Sequence, residues 1–359
     1  MKPIINTLLS VLLLGLPMST EALKVSDPCN KLTMSPPLQS ADLLLEGMSK
    51  AVCYSGFRTG QHPDRGQGAV NPSKKEILED LQILKEQTPF RLMRMYDCGE
   101  NTQMTLEVIR EHELDFKVML GIWLRAEVCT YATCEWLTEP YPEELLKENA
   151  QRNQREIERG IQLANKYPEI IAAVNVGNES LVDWNEHRVS VDSVTSYVRR
   201  VQKAINQPVT VADNYKWWAD HGQYLARVVD FVSIHLYPIW EGRDIDEGLS
   251  YSIENVQEVM DALPRASIVI AEAGWATTAT EFGPRASEAN QKRYIDELLS
   301  WTTENNITTF VFEAFDEDWK GDPNDPYGAE KHWGLFTVDR QPKGVIKLFK
   351  ESKSSKHAR

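Results

Sequence analysis

Two stretches of the chain place a glutamate at the end of an apolar run. The first reads Ala173-Val174-Asn175-Val176-Gly177-Asn178-Glu179 and the second Val269-Ile270-Ala271-Glu272-Ala273-Gly274-Trp275. A charged carboxylate at such a place is costly unless something pairs it or uses it. One alone is as readily explained by a buried ion pair with Arg91, Arg94 or another cation as by chemistry. Two, on separate strands, favour chemistry. Paired carboxylates suit glycoside hydrolysis. One stays protonated and donates to the departing oxygen, while the other stays ionised and attacks the anomeric carbon or positions water. Their separation, about 5–5.5 Å for retention and larger for inversion, is a matter for the structure.

Such a pair must be held by elements that converge. Short apolar runs fall at Lys50–Phe57, Phe90–Tyr96, Lys117–Leu124, Ile170–Val176, Val209–Ala212, Phe231–Tyr237, Ile268–Glu272 and Thr309–Phe315. Most are continuously apolar, as strands buried on both faces are. Amphipathic segments lie between them: Ser73–Gln87, Glu143–Lys166, Ser190–Asn206 and Ser287–Asn305 repeat apolar residues every three or four positions. Eight rounds of strand and helix predict an α/β fold, a single-domain (β/α)₈ TIM barrel over residues 48–350. A doubly wound sheet also alternates, but no Gly-x-Gly-x-x-Gly follows the first run. The 359 residues suffice for one such barrel with insertions. Active sites of these barrels lie at the C-terminal ends of the strands, where both glutamates fall.

Five stretches in order resemble glycoside hydrolase family 17, the β-1,3-glucanases. Val176-Gly177-Asn178-Glu179 is similar to the family's acid/base motif and Ala271-Glu272-Ala273-Gly274-Trp275 to its nucleophile motif. Arg94-Met95-Tyr96-Asp97, Phe312–Lys320 and Glu330–Phe336 resemble its second strand, its eighth strand and the segment that follows. The likeness spans roughly residues 50 to 345. It implies that Glu179 is the general acid/base and Glu272 the nucleophile of a retaining double displacement on β-1,3-glucan. Asn178 would bind the sugar 2-hydroxyl, Tyr96 and Tyr237 would line the subsite at the scissile bond, and Glu317 and Glu330 would support it as hydrogen-bond partners. The plant enzymes usually carry Thr and Pro near the nucleophile where this chain has Ala273 and Ala276, and its Phe312–Glu317 stretch is more similar to the fungal and bacterial branches. Those branches include glucan-transferring enzymes. Transglycosylation in the same site is therefore one alternative, and a non-catalytic glucan-binding barrel another.

Glucan clefts pair hydroxyl-binding groups with aromatic platforms for the apolar faces of sugars. Among ten tryptophans, Trp275 and Trp319 are the expected platforms, ahead of Trp123, Trp240 and Trp333. His235 either orients a catalytic carboxylate or is a hydrogen-bonded barrel histidine. Neither a metal nor another cofactor is implied, since no His-Glu-x-x-His or Cys-x-x-Cys spacing occurs. A net charge of −14 disfavours nucleic acid and anionic membranes and suits an uncharged substrate. A monomer is expected. Lys2, the apolar stretch Ile4–Leu16 and small residues up to Ala22 predict a cleaved signal peptide over 1–22 and a secreted or periplasmic protein. Residues 23–47 read as a leader packed against the barrel, and 351–359 as a basic tail. Five cysteines are too few for a disulfide scaffold. Cys129 and Cys134 either close one loop disulfide or stay free, and Cys53 and Cys98 read as buried thiols.

Overall fold

The structure, a computed structural model, describes Gln39, Leu45, residues 48–64 and residues 66–350. The expected signal peptide, most of the expected leader and the basic tail lie outside the described residues. Eight parallel strands close into one barrel in chain order: β1 (Lys50–Cys53), β2 (Leu92–Arg94), β3 (Lys117–Ile122), β4 (Ile171–Asn178), β5 (Val209–Asn214), β6 (Val232–Leu236), β7 (Ile268–Ala273) and β8 (Thr309–Val311). β1 pairs with β8 from Lys50↔Thr309 to Val52↔Val311, which completes the ring. The (β/α)₈ expectation holds. The apolar runs are the strands because helices cover the outer face while side chains fill the interior. In β7 every residue from Ile268 to Ala273 is buried.

The helices α1 (Lys74–Gln87), α2 (Glu100–Glu111), α3 (Glu143–Lys166), α4 (Val191–Gln202), α5 (Tyr215–His221), α6 (Ile245–Ala262) and α7 (Glu288–Glu304) connect successive strands. Helix α1 starts where Ser73 and Glu76 form a capping box, and it buries Ile77, Leu81 and Leu84. Ser190 and Ser287 cap α4 and α7 in the same sense, each accepting from a backbone N–H. Three helices gave no apolar period in the sequence, for physical reasons. The buried faces of α2 and α6 carry Asn101, Thr102 and Thr105, and Gly248, Ser252 and Asn255. Helix α5 has 7 residues, too few for a repeat.

Several apolar runs extend past their ladders. The eighth run was expected to reach Phe315, but β8 ends at Val311, and Phe315 instead bridges Phe336. Where the leader is described it does meet the barrel: the Gln39 amide donates to the Ile268 carbonyl at 2.8 Å and accepts from its N–H at 2.9 Å. Cys129 and Cys134 are free thiols, and Cys53 and Cys98 are free and buried. No helix among the described residues is long and apolar enough to cross a membrane.

Candidate active site

Glu272, on β7, sits at the centre of a ring of donors. Arg94 at the end of β2 is fully buried and approaches Glu272 Oε1 at 2.5 Å. The Tyr96 hydroxyl donates to the same oxygen at 2.9 Å, and the Tyr237 hydroxyl to Oε2 at 2.6 Å. Burial pushes the carboxyl up, but the positive edge of His235, the Arg94 guanidinium and the two phenols outweigh it. The Glu272 carboxyl is held below the usual range and stays ionised. Both phenols are pushed well above their ordinary value, first by burial, so they keep the protons they donate. Beneath the site, burial, reinforced by the charge of Glu272, pushes the Cys53 thiol up to about 12, and no thiolate competes with the carboxylate.

Glu179 is placed by an irregularity in β4. The ladder with β5 shifts register between Asn175 and Asn178, Gly177 takes φ 83° and Glu179 itself takes φ 46°. A bulge of this kind re-aims a side chain. The left-handed turn is held from below by Asp213, fully buried on β5. Its Oδ2 accepts from the Leu181 N–H and its Oδ1 from the Asn214 N–H, each at 2.8 Å. Burial pushes the Asp213 carboxyl well above its usual range, with the charge of Glu179 adding to the shift.

One imidazole connects the two acids. His235 Nδ1 lies 3.0 Å from Glu179 Oε1 and 3.5 Å from Glu272 Oε2. Those carboxylate oxygens are therefore no farther apart than the two distances laid end to end, which keeps them in one pocket. His235 Nε2 faces Arg94 Nη1 at 3.3 Å. The ring thus has Arg94 on its Nε2 side and both carboxylates on its Nδ1 side. Of the two roles the sequence left open for His235, the structure has the ring orienting a carboxylate. The environments of the acids differ: the Glu179 side chain is 28% exposed and that of Glu272 6%.

The remaining expected residues fall in three groups. Asn178 lies within the site, its Oδ1 accepting from Arg94 Nη2 at 2.5 Å. Glu330 is half-buried, its carboxyl pushed up by burial, opposed by Lys320, with Glu179 and Glu272 adding to the shift. Trp319 is half-buried on the β8 side, edge-on to Phe57 at 6.0 Å. Two expectations are corrected. Trp275 is no platform: it is fully buried, its N–H donates to the Arg285 carbonyl at 2.9 Å and its ring packs against Tyr294. Glu317 offers nothing to a sugar. Its Oε1 accepts from the Ser55 hydroxyl at 2.7 Å and the Phe57 N–H, and its Oε2 pairs with Lys320 at 2.9 Å.

Four residues carry more of the site than the sequence reading gave them. Arg94 was weighed only as a possible ion-pair partner, and Asp213 was not singled out. Glu313 and Lys320 form a pair at 2.6 Å, both within the matched eighth-strand stretch. Arg94 and Asp213 each put a charged group into an otherwise apolar strand, which is the signal that marked the two glutamates. Among the described residues no cluster of three or more His, Cys, Asp or Glu could hold a metal ion. Aromatic rings extend from the pair toward solvent: Tyr237 meets Trp333 at 5.2 Å, and Trp240, 44% exposed, lies 6.5 Å from Trp333 and 4.6 Å from Phe282. On the opposite side Trp123 stacks on His187 at 4.6 Å, and His187 Nε2 reaches the Asn178 carbonyl at 2.8 Å.

Residues 51–334 match the family model described as the BtgE/BtgC glycoside hydrolase domain. A glucan 1,3-beta-glucosidase of Arthroderma benhamiae is 26% identical over 310 residues, covering 80% of this chain and 88% of that protein. Other curated relatives are longer, and the chain spans 40% of their length. Among solved structures, an endo-laminarinase from Formosa is 25% identical with a TM-score of 0.73, covering 86% of this chain and 88% of that one. The glycoside hydrolase family 17 β-1,3-glucanosyltransferase of Rhizomucor miehei shares the fold at 20% identity and a TM-score of 0.64, covering 83% of this chain and 96% of that one.

Proposed function

The chain belongs to the BtgE/BtgC glycoside hydrolase family, and on that premise we propose that it hydrolyses β-1,3-glucosidic bonds of laminarin-type glucan by a retaining double displacement. What carries this reading is the pair itself. Two carboxylates reach one histidine nitrogen, at 3.0 and 3.5 Å, and one of them is held ionised. That closeness favours the short separation of retention over the wider one that leaves room for water between the acids. The relatives' names, glucan 1,3-beta-glucosidase and endo-laminarinase, supply the linkage.

In the first half-reaction Glu272, ionised and aimed by Arg94, Tyr96 and Tyr237, attacks the anomeric carbon while Glu179 protonates the departing oxygen. A glucosyl ester on Glu272 results. In the second, Glu179 removes a proton from the incoming water, whose oxygen displaces Glu272. Asn178 Oδ1 accepts from Arg94 Nη2, which leaves its amide N–H group to donate to the sugar 2-hydroxyl. Export rests on the amino-terminal segment: Lys2, the apolar stretch to Leu16 and the small residues to Ala22 fit a removed signal peptide.

The test is Glu272→Gln, assayed on unbranched and branched β-1,3-glucan with product sizing over time. Turnover should fall at least about 10⁴-fold while glucan binding persists. Activity surviving that change would overturn the nucleophile assignment. Products longer than the substrate at high oligosaccharide concentration would mean that sugar, and not water, intercepts the ester.

A further inference from the structure

All ten tryptophans lie within the described residues, and most are buried or half-buried. Trp217, Trp218, Trp275, Trp301 and Trp333 are core residues. Three are exposed: Trp136 at 56%, Trp184 at 41% and Trp240 at 44%. Trp136 is in the β3–α3 connection, Trp184 in β4–α4 and Trp240 in β6–α6. Every exposed tryptophan is thus on the face of the barrel that carries Glu179 and Glu272. Tyr131, 49% exposed, joins Trp136 in the β3–α3 connection. Packing does not account for large apolar rings left in water on one face; exposed apolar patches of this kind mark binding surfaces.

Trp240 belongs to the aromatic wall already described. Trp136 and Trp184 do not. The two connections that carry them are tied into one unit. The Glu127 and Val128 N–H groups donate to the Arg188 carbonyl at 2.9 and 3.0 Å, the buried Thr130 hydroxyl donates to the Asn185 carbonyl at 2.7 Å, and the Thr133 hydroxyl donates to the Asp183 carbonyl. Thr133 is three residues from Trp136, and Asp183 adjoins Trp184. From below, the Asn149 amide donates to the Ala126 carbonyl and the Asn153 amide to the Arg125 carbonyl, so α3 fixes the base of the unit. The same unit runs into the catalytic pair: the Asn185 amide donates to the Glu179 carbonyl at 3.3 Å, and His187, stacked on Trp123, reaches the Asn178 carbonyl.

We propose that Trp136 and Trp184 form a remote platform for a β-1,3-glucan chain, binding glucosyl units that lie beyond those at the scissile bond. The proposal rests on the glucan reading of the active site. The occupant follows from continuity: a polymer lying across Glu179 and Glu272 and leaving over Trp123 next meets this unit. An uncharged chain is the ligand suited to a protein of net charge −14. Flat indole faces held on a rigid base stack on the C–H faces of sugars with little ordering cost.

The experiment compares the parent with Trp136→Ala/Trp184→Ala and with Trp136→Tyr/Trp184→Tyr on laminarin and on laminaritriose, with unfolding midpoints measured on each protein. The ratio of kcat/KM on laminarin to that on laminaritriose should fall about ten-fold in the alanine variant, carried by KM, and recover in the tyrosine variant. A ratio unchanged by both substitutions overturns the platform while leaving the active-site reading intact. So does an equal fall on both substrates in a protein whose unfolding midpoint is unaltered. A parent inactive on both substrates overturns the active-site reading itself.

Discussion

The ionised state of Glu272 is the property on which the chemistry turns, and it results from competition. Burial alone would keep the carboxyl protonated; Arg94, His235 and two phenols reverse that. Each donor that stabilises the charged form lowers the pH at which Glu272 protonates, so removing one raises it. Tyr237→Phe should therefore move the acid limb of the pH profile of kcat/KM upward, toward neutrality. Activity should also fall about ten-fold at the parent optimum, in line with about 1.5 kcal/mol for a hydrogen bond to a charged group. A limb that stayed in place or moved down would show that Tyr237 does not set the charge of Glu272. At this scale the glutamates were legible in the sequence because a charged group in an apolar strand needs a reason, whereas Asn178 came only from the family resemblance. The bridging role of His235 was not legible. It depends on β6 and β7 pairing His235 with Glu272 after a register shift, and register across strands is not written in either strand alone. Trp275 misled for the opposite reason. Standing just past a strand end does not say which way a ring turns, and this one turns into the core.

Among the elements, the strands were the easiest to locate, since residues buried on both faces leave continuous apolar runs. Helices with polar buried faces were the hardest. The glycines of the motifs have their own mechanical task. A Cβ at Gly274 would lie 2.3 Å from the Phe312 carbonyl oxygen, a backbone atom that cannot step aside. Gly274→Ala should thus push β7 from the segment after β8, costing about 1–3 kcal/mol. A lower unfolding midpoint together with reduced kcat would follow, because Glu272 lies two residues upstream. An unfolding midpoint equal to the parent's would mean that the two segments are not as close as described. The bulge at Gly177 to Glu179 was invisible to pattern reading, which ended the fourth run at Val176. A bulge leaves no period behind.

For the whole molecule, closure depends on ties between the first and last parts of the chain. Arg340 is buried and grips Asp80 of α1 through two bonds, Nε to Oδ1 at 2.8 Å and Nη2 to Oδ2 at 2.7 Å. It also donates to the Gly56 carbonyl at 2.8 Å. Removing one partner of a buried pair leaves a charge without compensation, which costs about 3–5 kcal/mol. Arg340→Met should lower stability by about that amount in denaturant titration, softened by the second grip of Arg58 on Asp80 at 2.8 Å. A loss below about 1 kcal/mol, the range of exposed pairs, would show that the tie is dispensable. Arg94 does for the mouth of the barrel what Arg340 does for its seam. From β2 it bonds Asn178 on β4, His235 on β6, and Ala271 and Glu272 on β7. A single planar cation thus rivets four staves together, and none can swing outward without stranding charge in a dry interior. The rim is consequently the stiff partner in any encounter, and strain on the way to an oxocarbenium-like geometry must be taken up by the pyranose ring instead.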